Sequence, residues 1–217
     1  MKHWVFDLDG TLIDSSSYFE KSIFTILTEF GFAPQQKDMD LAYRFFDPTE
    51  YFRQYFPEEP LKVKSALSRL LELSKLHVQW IQAFEGIEEV LVYLKSKNIK
   101  VSVWTGREIE TTKGLLDSTG LSKYIDNCVT RSCVPKTKPN PDGLLKILQD
   151  SKDHGDDVIM VGDHQYDIQG ARSAKVKSIS VDWQGKEVHP VKGLADYHFT
   201  NITDFKNWII NYYDTRA

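Results

Sequence analysis

Cysteine is scarce in this 217-residue chain, with Cys128 and Cys133 the only two. That is too few for a disulfide framework, and neither has the His or Cys neighbours of a zinc site. Both read as ordinary reduced thiols. Long hydrophobic runs are missing too. Val101-Ser102-Val103-Trp104 and Val158-Ile159-Met160-Val161 are typical of the longest apolar stretches, far short of the roughly 20 residues that cross a bilayer. A membrane helix is therefore excluded. Positive charge is not in excess either: 27 Lys and Arg stand against 31 Asp and Glu, a formal charge of -4. Without a broad basic field, nucleic acid is a poor partner, and any phosphate must be gripped locally. No internal repeat or low-complexity tract appears. The N-terminus enters the strand-like run Trp4-Val5-Phe6 without the ordered regions of a secretory signal, so a cytoplasmic protein is expected. What is present is 41% hydrophobic residues, 27% charged and 12% aromatic, the balance of a folded chain. Its length suits one large domain or a core with a modest insertion.

The apolar runs 3–8, 100–104, 158–162 and 178–182 are short, rich in Val and Ile, and separated by helix-like segments. That alternation predicts an α/β fold, a Rossmann-like parallel sheet sandwiched by helices. Segment 86–97 carries Ile87, Val90, Leu91 and Leu94 at helical spacing, and 141–151 carries Leu144, Leu145 and Leu148 likewise. Weaker runs around 127–130 and 196–200 would add strands at the sheet edge. A last helix over 203–213 would open on Thr203 or Asp204 as N-cap. Residues 15 to 83 break the alternation: they hold helical patterns over 17–30 and 61–77 and an aromatic cluster (Tyr43, Phe45, Phe46, Tyr51, Phe52, Tyr55, Phe56), with no convincing buried strand. The expected organisation is a core of 1–14 and 84–217 with an inserted α-helical domain over 15–83.

Chemistry-bearing residues cluster where strands end. In Asp7-Leu8-Asp9-Gly10-Thr11, after the first strand, residues two apart point the same way, so Asp7 and Asp9 would project together at the carboxyl end. Alone, Asp-x-Asp-Gly also describes a solvated turn with an Asp cap. A second strand ends at Val161-Gly162-Asp163 with Asp167 four residues on, on the first turn of the next helix. Two such carboxylate pairs call for a cation, and Mg²⁺ prefers hard oxygen ligands and bridges carboxylates to phosphate. Asp167 also suits a helix N-terminus by complementing its dipole. A third strand ends at Trp104-Thr105-Gly106-Arg107, where a hydroxyl and amides at a helix N-terminus would bind phosphate; a plain N-cap Thr is the other reading. Lys138 lies in Lys136-Thr137-Lys138-Pro139-Asn140-Pro141, where the prolines hold the segment extended before a helix. It is either a fixed counter-charge or an ordinary surface lysine.

Together and in this order, the four features resemble the haloacid dehalogenase superfamily, specifically its phosphoglycolate phosphatase-like branch with a helical cap inserted after the first motif. The Asp-x-Asp-Gly-Thr motif is matched by Asp7, Asp9, Gly10 and Thr11, the second-motif Thr by Thr105, the Lys before Pro-x-Pro by Lys138, and Gly-Asp-x-x-x-Asp by Gly162, Asp163 and Asp167. The match covers the core; the cap fits by position and helical character only. One departure falls at Ala171-Arg172-Ser173-Ala174-Lys175, where relatives usually place Gly after the second Ala at a helix end that favours left-handed φ.

The resemblance implies a Mg²⁺-dependent hydrolase acting on a small phosphorylated metabolite. Asp7 would attack phosphorus to form an aspartyl-phosphate. Asp9 would protonate the leaving oxygen and then take a proton from the attacking water. Mg²⁺ would be held by the side chains of Asp7 and Asp163 and the backbone carbonyl of Asp9, with Asp167 orienting the shell. Thr105, the Gly106 amide and Lys138 would hold the phosphoryl oxygens. The cap would close through hinges near Ser15–Ser17 and Ala83–Gly86; Arg44, Arg53, Lys62 and Arg69 are its candidates for an anionic substrate, or else solvated surface charges. Hydrolytic dehalogenation would use Asp7 without the metal, and Asp9, Lys138 and the Asp163/Asp167 pair weigh against it. A sugar-phosphate mutase and a catalytically idle binding module are the remaining alternatives.

Overall fold

The computed structural model describes residues 1–42, 45, 47–76, 80–185 and 193–215. Tyr43, Arg44 and Phe46, noted above in the inserted segment, lie outside the described residues. The chain divides into two compact units, Met1–Asp14 with Gln82–Ala217, and Ser15–Ile81. Strands β1 (His3–Phe6) and β2 (Ile13–Asp14) open the first unit. The second holds α1 (Ser16–Glu29), α2 (Gln36–Ala42), α3 (Pro48–Arg53) and α4 (Pro60–Leu76). The first unit resumes with β3 (Gln82–Ala83), α5 (Ile87–Ser96), β4 (Lys100–Trp104), α6 (Ile109–Ser118) and β5 (Asn127–Val129). It continues through α7 (Asp142–Ser151), β6 (Val158–Gly162), α8 (Gln165–Ser173), β7 (Lys177–Val181), β8 (Tyr197–Phe199) and α9 (Ile202–Asp214).

Six strands form one parallel sheet in the order β5-β4-β1-β6-β7-β8. β1 sits centrally, with β4 on one side and β6 on the other, so the chain winds outward in both directions from it. The crevice at the carboxyl end of such a strand is where open α/β sheets bind ligands. Alternation along β1 explains why both faces are covered. Val5 packs with Met160, Trp104, Leu144, Ile147 and Ala171 in one buried cluster, joining the sheet to α7 and α8. Trp4 and Phe6 point the other way, stacked at 5.9 Å, and Trp4 meets Phe205 of α9 at 5.9 Å. Burying each such side chain contributes about 1.5–3 kcal/mol.

The edge strands appear where the weak runs placed them. β1, however, stops at Phe6: the Asp7 amide still pairs with the Val161 carbonyl at 2.8 Å, but the chain then turns through Gly10, whose φ of 74° suits glycine. The N-cap of α9 is Asn201, not Thr203 or Asp204. Its side-chain oxygen accepts from the amides of both, at 2.8 and 3.1 Å, so the expected caps are the residues being capped. The antiparallel pair β2–β3 sets Ile13 opposite Ala83 and Asp14 opposite Gln82; two residues are too few to show a period of two in sequence. At the end of α8, Lys175 holds φ 56°, the left-handed conformation anticipated there.

Within the second unit, α1 buries Tyr18, Ser22, Ile23, Ile26 and Leu27, and α4 buries Val63, Ala66 and Leu73. Asp47 caps α3 by accepting from the Thr49 amide at 2.8 Å, with Pro48 at the first helical position. Aromatic contacts close the unit: Phe30 to Phe56 at 5.0 Å and Phe32 to Tyr55 at 5.2 Å.

Candidate active site

Asp7 follows β1 directly and is buried, its chain direction set by the amide bond to β6. Asp163 follows β6, and Asp167 lies on the first turn of α8. Carboxylate oxygens of Asp7, Asp163 and Asp167 all come within 4.8 Å of one another. Lys138 enters from the segment before α7, its Nζ 2.5 Å from both Asp7 Oδ1 and Asp167 Oδ1. The side chains of Lys138 and Asp167 are each 1% exposed, so this ion pair is sealed from solvent.

Electrostatics follow from that crowding. The Asp7 carboxyl is raised to about 7, chiefly by burial against the pull of Lys138, with Asp167 and Asp9 adding to the rise. Burial likewise lifts Asp163 well above the usual carboxylate range, aided by Asp7 and Asp167. Burial pulls the Lys138 ammonium down, but Asp167 and Asp7 together outweigh it and its pKa rises. Lys138 therefore remains a cation among carboxylates that repel one another.

Close approach shapes the same corner. A Cβ on Gly10 would lie 2.2 Å from Asp163 Oδ2, and one on Gly162 would lie 2.4 Å from the Asp167 carboxyl carbon. Thr11 donates its hydroxyl to Asp163 Oδ1 at 3.2 Å. Asp167 closes a capping box with His164, accepting the His164 amide at 3.1 Å while His164 Nδ1 accepts from the Tyr166 amide at 3.0 Å. Asp167 thus caps α8 through Oδ2 while its Oδ1 pairs with Lys138.

Two local expectations change. Thr105 does not stand at a helix N-terminus: α6 begins at Ile109 after Glu108. The Thr105 hydroxyl instead accepts the Arg107 amide at 3.2 Å, and its own amide pairs with the Val129 carbonyl at 3.0 Å. Thr105 and Gly106 thus stand at the end of β4, the strand beside β1. The Lys138 segment is not simply extended. Its Lys138–Pro139 bond is cis and the Asn140 amide bonds back to the Thr137 carbonyl at 3.0 Å, a turn with the proline at its third position.

Three contributors escaped the sequence reading. Arg107 forks onto Asp9, its Nε and Nη2 donating to the two carboxylate oxygens at 2.6 Å each. Its only signal was position, two residues after Thr105. Trp104 lies with its ring centroid 4.8 Å from Lys138 Nζ and looked like an ordinary strand residue. Trp183 donates its indole N–H to the Thr11 carbonyl at 3.0 Å, with no sequence signal at all. Of the cationic candidates in the inserted segment, Arg69 is bound to Glu29 and Glu72 and Lys62 to Glu59 at 2.6 Å. Arg53 is exposed on α3.

The site gathers three carboxylates about one buried ammonium, and comparison with known proteins identifies the family. The family model of haloacid dehalogenase-like hydrolases matches residues 4–181. A putative pyrophosphatase PpaX of Caldanaerobacter subterraneus subsp. tengcongensis is 34% identical over 180 residues, 82% of this chain and 80% of that protein. The pyrophosphatase PpaX of Oceanobacillus iheyensis is 26% identical over 202 residues, 92% of each. Among solved structures, a predicted phosphatase from Clostridium acetobutylicum superposes with a TM-score of 0.83 at 26% identity, covering 97% of this chain and 99% of that one. With the acidic cluster, the buried lysine and the parallel sheet all in place, the chain belongs to the haloacid dehalogenase-like hydrolases, on their phosphatase branch.

Proposed function

We propose that this protein is a Mg²⁺-dependent phosphohydrolase that forms an aspartyl-phosphate on Asp7 and acts on a small phosphorylated metabolite. The observation that carries the reading is the clustering of Asp7, Asp163 and Asp167 beside the carboxyl ends of β1 and β6, with Lys138 paired to Asp7 and Asp167. The residues fit the metal by charge and chemistry. Three carboxylates and one ammonium leave a formal charge of -2, and every donor is a hard oxygen. Asp7 and Asp163 would hold Mg²⁺ with the Asp9 backbone carbonyl, and Asp167 would orient them; when bound, the ion supplies charge stabilisation to the phosphoryl oxygens.

The chain's own residues supply the rest. An Asp7 oxygen bonds to phosphorus as the bond to the leaving oxygen breaks, and water then cleaves the acyl phosphate to return Asp7 and inorganic phosphate. Asp9 stands two residues on, where it would hand a proton to the leaving oxygen and take one from water. Lys138, fixed between Asp7 and Asp167, offsets charge as nucleophile and phosphate meet. Thr105 and Gly106 at the end of β4 would hold phosphoryl oxygens. The helical unit Ser15–Ile81 would serve as the cap that excludes water. The relatives named pyrophosphatase favour a phosphoanhydride among the candidate substrates. Two free thiols, Cys128 and Cys133, suit the cytoplasm.

The test is phosphate release from a panel of small phosphoesters and pyrophosphate by wild type and Asp7→Asn, each with Mg²⁺ and with chelator. Wild type should turn over only with Mg²⁺, and the variant should retain less than about one thousandth of the rate. Turnover indifferent to both metal and substitution would overturn the mechanism.

A further inference from the structure

Resting on the phosphohydrolase reading, we propose that Arg107 is a specificity residue that reads negative charge on the leaving group. Preferred substrates would then carry a second anionic group beside the scissile phosphate, pyrophosphate first among them. Arg107 is held at both ends of its backbone: its amide donates to Thr105 Oγ1 at 3.2 Å and its carbonyl accepts from the Arg131 amide at 3.0 Å. The direction of its side chain is thereby set from the phosphate-binding turn. That side chain reaches Asp9, 98 residues away in sequence, through two 2.6 Å bonds.

The two cations at the site differ in access. Lys138 is 1% exposed and enclosed by Asp7 and Asp167, committed to the nucleophile side. Arg107 and Asp9 are 19% and 33% exposed, within reach of an incoming ligand. Asp9 serves the leaving oxygen in the proposed mechanism, so the guanidinium lies one carboxylate away from that oxygen. A guanidinium matches carboxylate and phosphate alike, by paired N–H donors on a planar fork. A leaving phosphate or carboxylate can therefore share or take over the position that Asp9 holds, while an uncharged alcohol offers nothing comparable. Arg107 would thus favour anionic leaving groups at the point where Asp9 is needed for the leaving oxygen.

The experiment compares kcat/KM for two substrates with anionic leaving groups, inorganic pyrophosphate and 2-phosphoglycolate, and two without, ethyl and phenyl phosphate. Wild type, Arg107→Lys and Arg107→Met are each assayed with Mg²⁺, with folding checked by circular dichroism. The expected result is that Arg107→Met lowers the ratio of anionic to uncharged substrates by about 100-fold, chiefly through KM. Arg107→Lys, keeping charge without the fork, should restore part of that ratio. Which anionic substrate loses more tells phosphate from carboxylate recognition, and either pattern supports the proposal. If all four substrates lose the same factor, Arg107 only positions Asp9 and the proposal is overturned. Should wild type cleave none of the four, the phosphohydrolase reading itself fails, and Asp7→Asn will be as inert as its parent.

Discussion

Trp104 does at close range what a charged partner often does at a distance. Its indole lies 4.8 Å from the Lys138 ammonium, near enough for a cation–π attraction that fixes the lysine beside Asp7. Two glycines make room for the ring. A Cβ on Gly143 would fall 2.1 Å from Trp104 Nε1, and one on Gly170 would fall 2.5 Å from the far edge of the ring. Gly143→Ala should push the indole off Lys138, costing about 1–3 kcal/mol of stability from overpacking and lowering kcat by roughly tenfold or more. Urea unfolding and steady-state kinetics measure the two effects. Gly114→Ala is the control, since a Cβ there meets nothing within 4 Å; a comparable loss of kcat in it would remove Trp104 from the explanation.

Helix ends illustrate how elements are joined to the sheet. Helix α8 stops at Ala174, whose amide bonds back to the Gly170 carbonyl, and the Val176 amide reaches the Ala171 carbonyl at 2.9 Å. That closing bond requires the residue between to be left-handed, and Lys175 at φ 56° accepts the conformation. An L side chain there costs roughly 1 kcal/mol relative to glycine. Lys175→Gly should therefore stabilise the protein by about 1 kcal/mol in equilibrium unfolding with kcat unaltered, because the position lies beyond the site. A neutral or negative change in stability would mean that Lys175 makes compensating contacts.

At the scale of the molecule, a buried network opposite the site binds the sheet's amino ends together. His3 on β1 bonds Ser102 on β4 at 2.7 Å through Nε2 and Asp153, beyond α7, at 2.8 Å through Nδ1. Burial is the largest influence on His3 and lowers its pKa below 6.5, against the opposite pull of Asp153. The native state thus prefers neutral His3, and the unfolded chain takes up the proton first as pH falls. Stability from this source is complete above about pH 6.5 and is lost as pH drops from there through the lower native value. His3→Gln should be less stable than wild type at pH 8, with the gap narrowing between pH 6.5 and 5 in thermal or urea unfolding. Parallel curves for the two proteins across that range would show that His3 does not drive the acid sensitivity.

Much of the candidate site was legible because it is local. Asp7-x-Asp9, Thr105-Gly106 and Asp163 through Asp167 each span five residues or fewer, and each directly follows an apolar run that forms a strand. The alternation of short apolar runs with helices likewise determined the α/β class, since a strand buried on both faces must be apolar throughout. Partners remote in sequence were not legible. Arg107 meets Asp9 because β4 lies beside β1, and Lys138 joins Asp7 to Asp167 because a turn before α7 returns it over β1 and β6. Trp104 looked like one more strand residue until glycines on two helices opened space beside it. The sequence by itself determined which residue types stand at each strand end. Only the tertiary structure decided which ends adjoin, because strand order and packing arise from contacts across the whole core and no local pattern encodes them.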